Sequence, residues 1–203
     1  MATRIAKRSL SKREESYSSE VRRLLDAGLA VMQQSGDGRA RVADIVAEAG
    51  LSNDAFYRHF PSKDALVTAI IEDGALRLRS YLEHQMAKAT TPEDEVRHWV
   101  VGVLAQASDS RIADATRAVL RNAGGPGDSG VTGHPAMNDP IAELLRAPLR
   151  ALGSAAPDLD ASLIAFAVIG VMSDHLHRGA RPKRSEIDHV ADFCVAAAKG
   201  SAS

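Results

Sequence analysis

Apolar side chains recur at helical spacing along most of this chain, and nowhere do they alternate one-for-one with polar ones. The first run has members three or four positions apart: Val21, Leu24, Leu25, Leu29 and Met32. This spacing is typical of one buried face of an α-helix, whereas a half-buried strand would alternate with period two. Aromatic residues make up only 4% of the chain, and apolar residues 45%. Because alanine and leucine favour helix over sheet, we expect an all-α fold of about nine helices.

Glycine, proline and N-cap residues mark the predicted helix ends. The first helix is expected over about 18–34, and Gly50 and Pro61 end the next two. The later helices are expected at about 62–88, from 90 onward, 111–122, 139–152, 158–178 and 184–199. The segment 123–137 holds five glycines and two prolines, which predicts a mobile loop.

Charge is unevenly distributed. Residues 1–63 carry 11 basic and 8 acidic side chains, while residues 64–203 carry 14 and 18. Residues 1–13 hold five basic side chains and no acid. Since residues 1–17 also lack an apolar period, we expect them to form a basic flexible arm. A basic N-terminal part followed by an acidic remainder predicts a polyanionic partner that binds at the N-terminal end only.

Several classes of protein are disfavoured. A single cysteine, Cys194, excludes an intrachain disulfide or a multi-cysteine zinc site and fits a reducing cytoplasm. The longest apolar run, 163–172, is far shorter than the roughly 20 residues of a membrane span. His175 and His177 are two positions apart, so they point to different helix faces. No phosphate loop, G-x-S-x-G or H-E-x-x-H motif is present. We therefore expect a cytoplasmic protein that is not an enzyme and has no metal, cofactor or membrane partner.

The segment A-G-L-S-N-D-A-F-Y-R-H-F-P-S-K-D-A-L predicts a sharp corner between two short helices. Glycine takes a positive φ at low cost, so the chain can bend at Gly50. About three residues join the helices, too few to fold them antiparallel. This is the pattern of a helix-turn-helix, whose second helix can enter a major groove. An ordinary helical corner is the alternative.

The chemistry around the corner favours contact with nucleic acid. Tyr57 and His59 can donate hydrogen bonds to phosphate oxygens. Lys63 lies at the start of the next helix, where a cation opposes the helix dipole unless a phosphate binds there too. Asn53 can pair with adenine, and Asp54 can accept from a cytosine amino group. Alternatively, Asp54 only complements the dipole of its own helix.

The segment D-I-V-A-E-A-G-L-S-N-D-A-F-Y-R-H-F-P-S-K-D-A-L resembles the TetR family of bacterial transcription regulators. The resemblance is specific from about residue 20 to 72 and loose beyond residue 90. It implies a DNA-binding domain at 18–65, with the helix-turn-helix at about 41–60, and a ligand-binding and dimerisation domain at 66–203. The chain departs from the family pattern at Arg41, Val46, Asn53 and Asp54, so the operator sequence cannot be carried over.

The resemblance also implies three sets of contact residues. Those expected at DNA are Arg41, Ser52, Asn53, Asp54, Ala55, Tyr57, His59, Lys63, Arg4, Lys7 and Arg8. Those expected at a small apolar or amphipathic ligand are Trp99, Val103, Thr116, Leu120 and Phe166. Plain core packing is the alternative for Trp99. Those expected at a dimer interface are Val168, Met172, Ile187, Val190, Cys194 and Val195. The alternative is that the apolar stripes of these two helices are both buried within one subunit.

The implied function is that of a homodimeric repressor that binds a palindromic operator in double-stranded DNA and is released by its ligand. The alternative is a nucleoid or cell-division factor that uses the same DNA-binding module without ligand control.

Overall fold

The computed structural model describes residues 2–36, 38–123 and 135–200, and within them it contains helices and no strands. The all-α prediction is confirmed. The α-helices are α1 (Ala2–Gln34), α2 (Val42–Ala49), α3 (Asn53–His59), α4 (Lys63–Met86), α5 (Pro92–Ser108), α6 (Ser110–Asn122), α7 (Pro135–Ala142), α8 (Arg146–Ala151), α9 (Pro157–Arg178) and α10 (Arg184–Gly200). The chain forms two compact units, Met1–Ile70 and Ile71–Ser203.

The basic N-terminal segment, predicted to be a flexible arm, is helical. Helix α1 begins at Ala2 instead of near residue 18. Residues 2–27 contain no glycine or proline and are rich in alanine, leucine, arginine, lysine and glutamate, all good helix formers. Local propensity therefore extends the helix beyond the part that has an apolar face.

The core of the first unit lies where α1, α2, α3 and the start of α4 meet. Leu24, Ile45, Phe56 and Leu66 are fully buried there. Gly28 lets α1 come close to α4, since a Cβ at this position would lie 3.0 Å from Leu66 Cδ2. These contacts give the helix-turn-helix a fixed base.

The core of the second unit surrounds α5, which packs against α6, α8, α9 and α10. Trp99, Val100 and Val103 on α5 are fully buried. The helix predicted at 139–152 is interrupted by a 3-10 turn at Glu143–Leu145 that separates α7 from α8. Pro148 in α8 contributes to this break, because proline has no N–H to donate to the carbonyl of Leu144, four residues earlier in the turn. Most of the predicted loop at 123–137 lies outside the described residues.

Among the described residues, one helix, α9, is long and apolar enough to cross a membrane by length and composition. Much of it is buried against the core of the second unit, including Ile164, Val168 and Met172. The core helices of water-soluble proteins share both properties.

Candidate nucleic-acid interface

Backbone geometry at the corner is set by local interactions. Gly50 adopts φ 60°, and its N–H and that of Leu51 bond to carbonyls in the last turn of α2. Ser52 then caps α3, because its Oγ accepts a hydrogen bond from Ala55 N at 3.1 Å. Ser62 caps α4 in the same way, accepting from Ala65 N at 3.1 Å. Three successive helix ends are thus satisfied within a span of 16 residues, 50–65.

Helix α3 presents one polar exposed face and one buried apolar face. Asn53, Asp54 and Tyr57 are exposed, with the Tyr57 side chain 56% accessible. Ala55 and Phe56 are buried. The exposed face therefore carries groups that can reach base edges and phosphates, while the buried face anchors the helix.

Two residues predicted at the DNA surface are placed elsewhere. Ala55 is buried against the core of the first unit and is not available to a ligand. The His59 side chain is 1% exposed, and its Nε2 lies 2.7 Å from Glu20 Oε2. The ring also packs edge-on against Tyr17, with centroids 4.4 Å apart. His59 is therefore a structural link between α3 and α1 and does not reach a phosphate in this structure.

The other predicted contacts remain accessible to different degrees. Arg41 is exposed but forms a salt bridge with Asp44 at 2.8 Å, which raises the pKa of Arg41 and lowers that of Asp44. Lys63 is half-buried at the first position of α4. Arg4, Lys7 and Arg8 lie on α1, where the backbone alone is described.

Helix α1 contributes side chains that sequence reasoning missed. Arg23 Nη2 donates to the carbonyls of Ala49 and, at 3.1 Å, Gly50. Glu20 accepts hydrogen bonds from His59 and, at 3.2 Å, from Arg58. No local pattern marks these residues, because their partners are 26 to 39 positions further along the chain.

The residues predicted to bind a ligand differ widely in exposure. Trp99 is fully buried, and its Nε1–H donates to Ile141 O at 2.9 Å. Val103 is buried as well, whereas Phe166 is 50% exposed. The remaining two, Thr116 and Leu120, are half-buried on α6. The Trp99 ring thus lies in the core of the second unit with its N–H satisfied there.

The residues predicted at a dimer interface face the interior of their own subunit. Val168, Met172, Cys194 and Val195 are each at most 5% exposed. Ile187 and Val190 pack against the same core. Burial raises the pKa of the Cys194 thiol to about 11, so it stays protonated at neutral pH. The apolar side chains that α9 and α10 leave exposed are instead Leu159, Leu163, Phe166 and Phe193.

Among the described residues, no group of three or more histidine, cysteine, aspartate or glutamate side chains is placed to hold a metal ion. The carboxylates lie mainly in surface ion pairs such as Arg77–Asp73 and Arg184–Asp188.

Comparison with known proteins finds sequence matches to the first unit. Residues 24–70 match the family model described as bacterial regulatory proteins, tetR family. An uncharacterized HTH-type transcriptional regulator of Bacillus subtilis (strain 168), YvdT, is 38% identical over 56 residues. That match covers 28% of this chain and 29% of the length of the relative.

Solved structures extend the likeness to the whole fold. A putative TetR-family transcriptional regulator from Mesorhizobium loti MAFF303099 superposes with a TM-score of 0.62 at 17% identity, covering 91% of this chain and 96% of that one. The regulator RolR in complex with resorcinol gives a TM-score of 0.66 at 16% identity, covering 94% and 96%. The tetR family model thus matches the helix-turn-helix segment, residues 24–70, and the solved structures share the helical fold of the chain.

Proposed function

We propose that this protein is a homodimeric, sequence-specific DNA-binding repressor of transcription. The observation that carries the proposal is the exposed polar face of α3, held out by the buried Ala55 and Phe56. Asn53 and Asp54 at the start of this helix supply the donor and acceptor groups that read base edges. Tyr57, Lys63 and Arg41 supply phosphate contacts, which fix the protein on the duplex without reading its sequence.

Exposed apolar side chains on the last two long helices support a dimer. Leu159, Leu163 and Phe166 fall on one face of α9 and are each at least half exposed, and Phe193 on α10 is 64% exposed. Gly170 lies in the middle of the same helix, and among the described residues no atom beyond its neighbours and its own helical turn comes within 4 Å of where a Cβ would stand. A second copy of the chain would bury these side chains and use the small residue for close approach. A two-fold axis would also present two α3 helices to a palindromic site.

Control by a small ligand is the second element of the proposal. The solved structure of RolR holds resorcinol, so this helical fold can enclose a small aromatic molecule. In our chain such a ligand would need to displace Trp99 or open the packing around it, since Trp99 is already hydrogen-bonded in the core. Binding would shift α4 and change the spacing of the two α3 helices, which couples two sites through one element.

The filled core around Trp99 also favours a second candidate, a nucleoid or cell-division factor that binds DNA without ligand control. The fluorescence of the single tryptophan distinguishes the two. A ligand-controlled repressor should show a saturable change in Trp99 emission with a compound that also weakens operator binding. For a factor without ligand control, no compound should both change Trp99 emission and weaken DNA binding.

Selection of bound sites from random duplexes tests the DNA-binding proposal directly. We expect an enriched palindrome whose half-sites are separated by about one helical turn or somewhat more. Asn53→Ala should relax the preference at one or two base pairs within it. Enrichment of no sequence over the starting pool would contradict sequence-specific binding.

A further inference from the structure

One turn of α1 holds the ends of both helices of the helix-turn-helix. Arg23 and Glu20 are three positions apart, so they lie on the same side of α1. Arg23 donates to two carbonyls at the end of α2, and Glu20 accepts from two side chains at the end of α3. The two ends are thus tied to a single short stretch of a third helix.

The Arg23 contact occupies carbonyls that a helix end leaves without intrahelical partners. The last four C=O groups of a helix have none, and a cation at that end also complements the helix dipole. Ala49 supplies one such acceptor, and Gly50, the residue that caps the helix, supplies the next carbonyl along the chain. Glycine is favoured at position 50 because its φ is 60°, and a Cβ there would also lie 3.1 Å from Arg23 Nη2. The turn and the guanidinium therefore fit each other.

The Glu20 contact occupies the two basic side chains in the last turn of α3. Glu20 Oε2, on a partly exposed side chain, accepts from His59 Nε2 at 2.7 Å and from Arg58 Nη2 at 3.2 Å. His59 Nδ1 is buried and has no partner among the described residues, so the tautomer with the proton on Nε2 is the one that this geometry uses. Hydrogen bonds to ionised groups are the stronger class. Helix α3 has only seven residues, so tying its last turn constrains its whole length.

We propose that Glu20 and Arg23 are positioning residues that fix the orientation of α3 relative to α2 through this bracing of α1 against both helix ends. The proposal rests on the proposed function, in which α3 reads base edges. Neither side chain needs to touch DNA. Base readout requires bidentate hydrogen bonds of defined geometry, whereas non-specific binding depends mainly on the number of phosphates contacted. Loosening the brace should therefore reduce specific affinity much more than non-specific affinity.

The chain offers matched controls for both residues on the same helix. Arg22 and Asp26 are exposed, and they pair with each other at 4.0 Å. Arg22→Ala removes the same charge as Arg23→Ala, and Asp26→Asn removes the same charge as Glu20→Gln. The experiment measures the affinity of the full chain and each variant for the selected palindrome and for a random duplex, across a salt series. Amide hydrogen exchange of residues 50–60 is measured on the same samples without DNA.

We expect Arg23→Ala and Glu20→Gln to lower the ratio of specific to random-duplex affinity by at least about tenfold, since the first removes two hydrogen bonds from a charged donor and the second removes the charge of an acceptor of two others. Exchange in α3 should become faster in both variants. The slope of random-duplex affinity against salt should change no more than in the matched controls. Glu20→Asp should restore part of the ratio, since it keeps the charge.

Equal specificity ratios in Arg23→Ala and Arg22→Ala would overturn the proposal. If Arg23→Ala does not fold, Glu20→Gln decides, because it preserves side-chain size and leaves the Gly50 turn intact. If the wild-type chain prefers no sequence, the proposed function fails. Hydrogen exchange alone then tests whether Glu20 and Arg23 hold the ends of α2 and α3. In that case, protection in Arg23→Ala equal to that in Arg22→Ala would refute it.

Discussion

Lys63 begins α4, where a bound phosphate would offset the unfavourable interaction of its charge with the helix dipole. A lysine at the first position of a helix opposes the dipole at a cost of about 0.3–1 kcal/mol. We predict that Lys63→Ala weakens binding to all duplexes similarly and reduces the salt slope by about one. Lys88→Ala is the control, since Lys88 is an exposed lysine in the second unit. An unchanged salt slope in Lys63→Ala would show that Lys63 makes no phosphate contact.

Glu20 gives the first unit a defined response to acid. Its hydrogen bond with His59 and the nearby Arg58 guanidinium lower the pKa of Glu20 below its ordinary value of 4.5. A carboxylate whose pKa is lower in the folded state stabilises the fold above its unfolded pKa, and this contribution is lost as the pH falls through the folded value. We predict that the wild-type chain is more stable than Glu20→Gln to urea at pH 5. The gap should shrink between pH 5 and pH 3, and a gap that stayed constant over this range would contradict the assignment.

The approach of α5 to α4 depends on one glycine. A Cβ on Gly102 would lie 2.5 Å from Leu82 Cδ2, and Leu82 is fully buried. We predict that Gly102→Ala forces the two helices apart and destabilises the fold by about 1–3 kcal/mol in urea unfolding. Gly74→Ala on α4 is the control, because nothing lies within 4 Å of its Cβ position. It should stabilise the helix by about 0.5–1 kcal/mol. A neutral Gly102→Ala would show that α4 and α5 have room to adjust.

The N-terminal part of α1 is rich in basic residues, and its sequence shows no apolar periodicity. Deleting residues 1–13 removes five cations. Since the buried side chains described on α1, such as Leu24 and Leu25, lie outside the deleted segment, the shortened chain should still fold. Its DNA affinity should fall, and the loss should be greatest at low salt. Equal affinities at low salt would show that this half of α1 has no part in DNA binding.

At the scale of the whole molecule, the dimer prediction concerns the exposed apolar face of α9. Val195 is buried in its own subunit, so Val195→Glu would test folding instead of association. Phe166→Glu places the charge on the exposed face of α9. We predict that this variant keeps the helical circular dichroism of the wild type, sediments as a monomer at micromolar concentration and binds the palindrome poorly. Ile112→Glu, on the exposed side of α6, is the control and should remain a dimer. A wild-type chain that is itself monomeric under these conditions would refute the dimer.

Sequence alone determined the features that arise from neighbouring residues. The turn at Gly50 and the caps at Ser52 and Ser62 follow from backbone preferences and hydrogen bonds that span two to four residues. The exposed polar face of α3 follows from the same short-range pattern. The helix-turn-helix and the family resemblance were therefore predictable, because local preference and tertiary packing agree there.

Tertiary structure alone decided what depends on distant partners. The His59 ring looks like a phosphate donor in the sequence, but Glu20, 39 positions away, occupies it. Helix α9 is apolar nearly all round between Leu163 and Met172, so its periodicity does not say which side is buried. Packing against α5 buries Val168 and leaves Phe166 exposed. Each of these outcomes depends on which surface a second helix covers, and helical spacing within one segment carries no information about that surface.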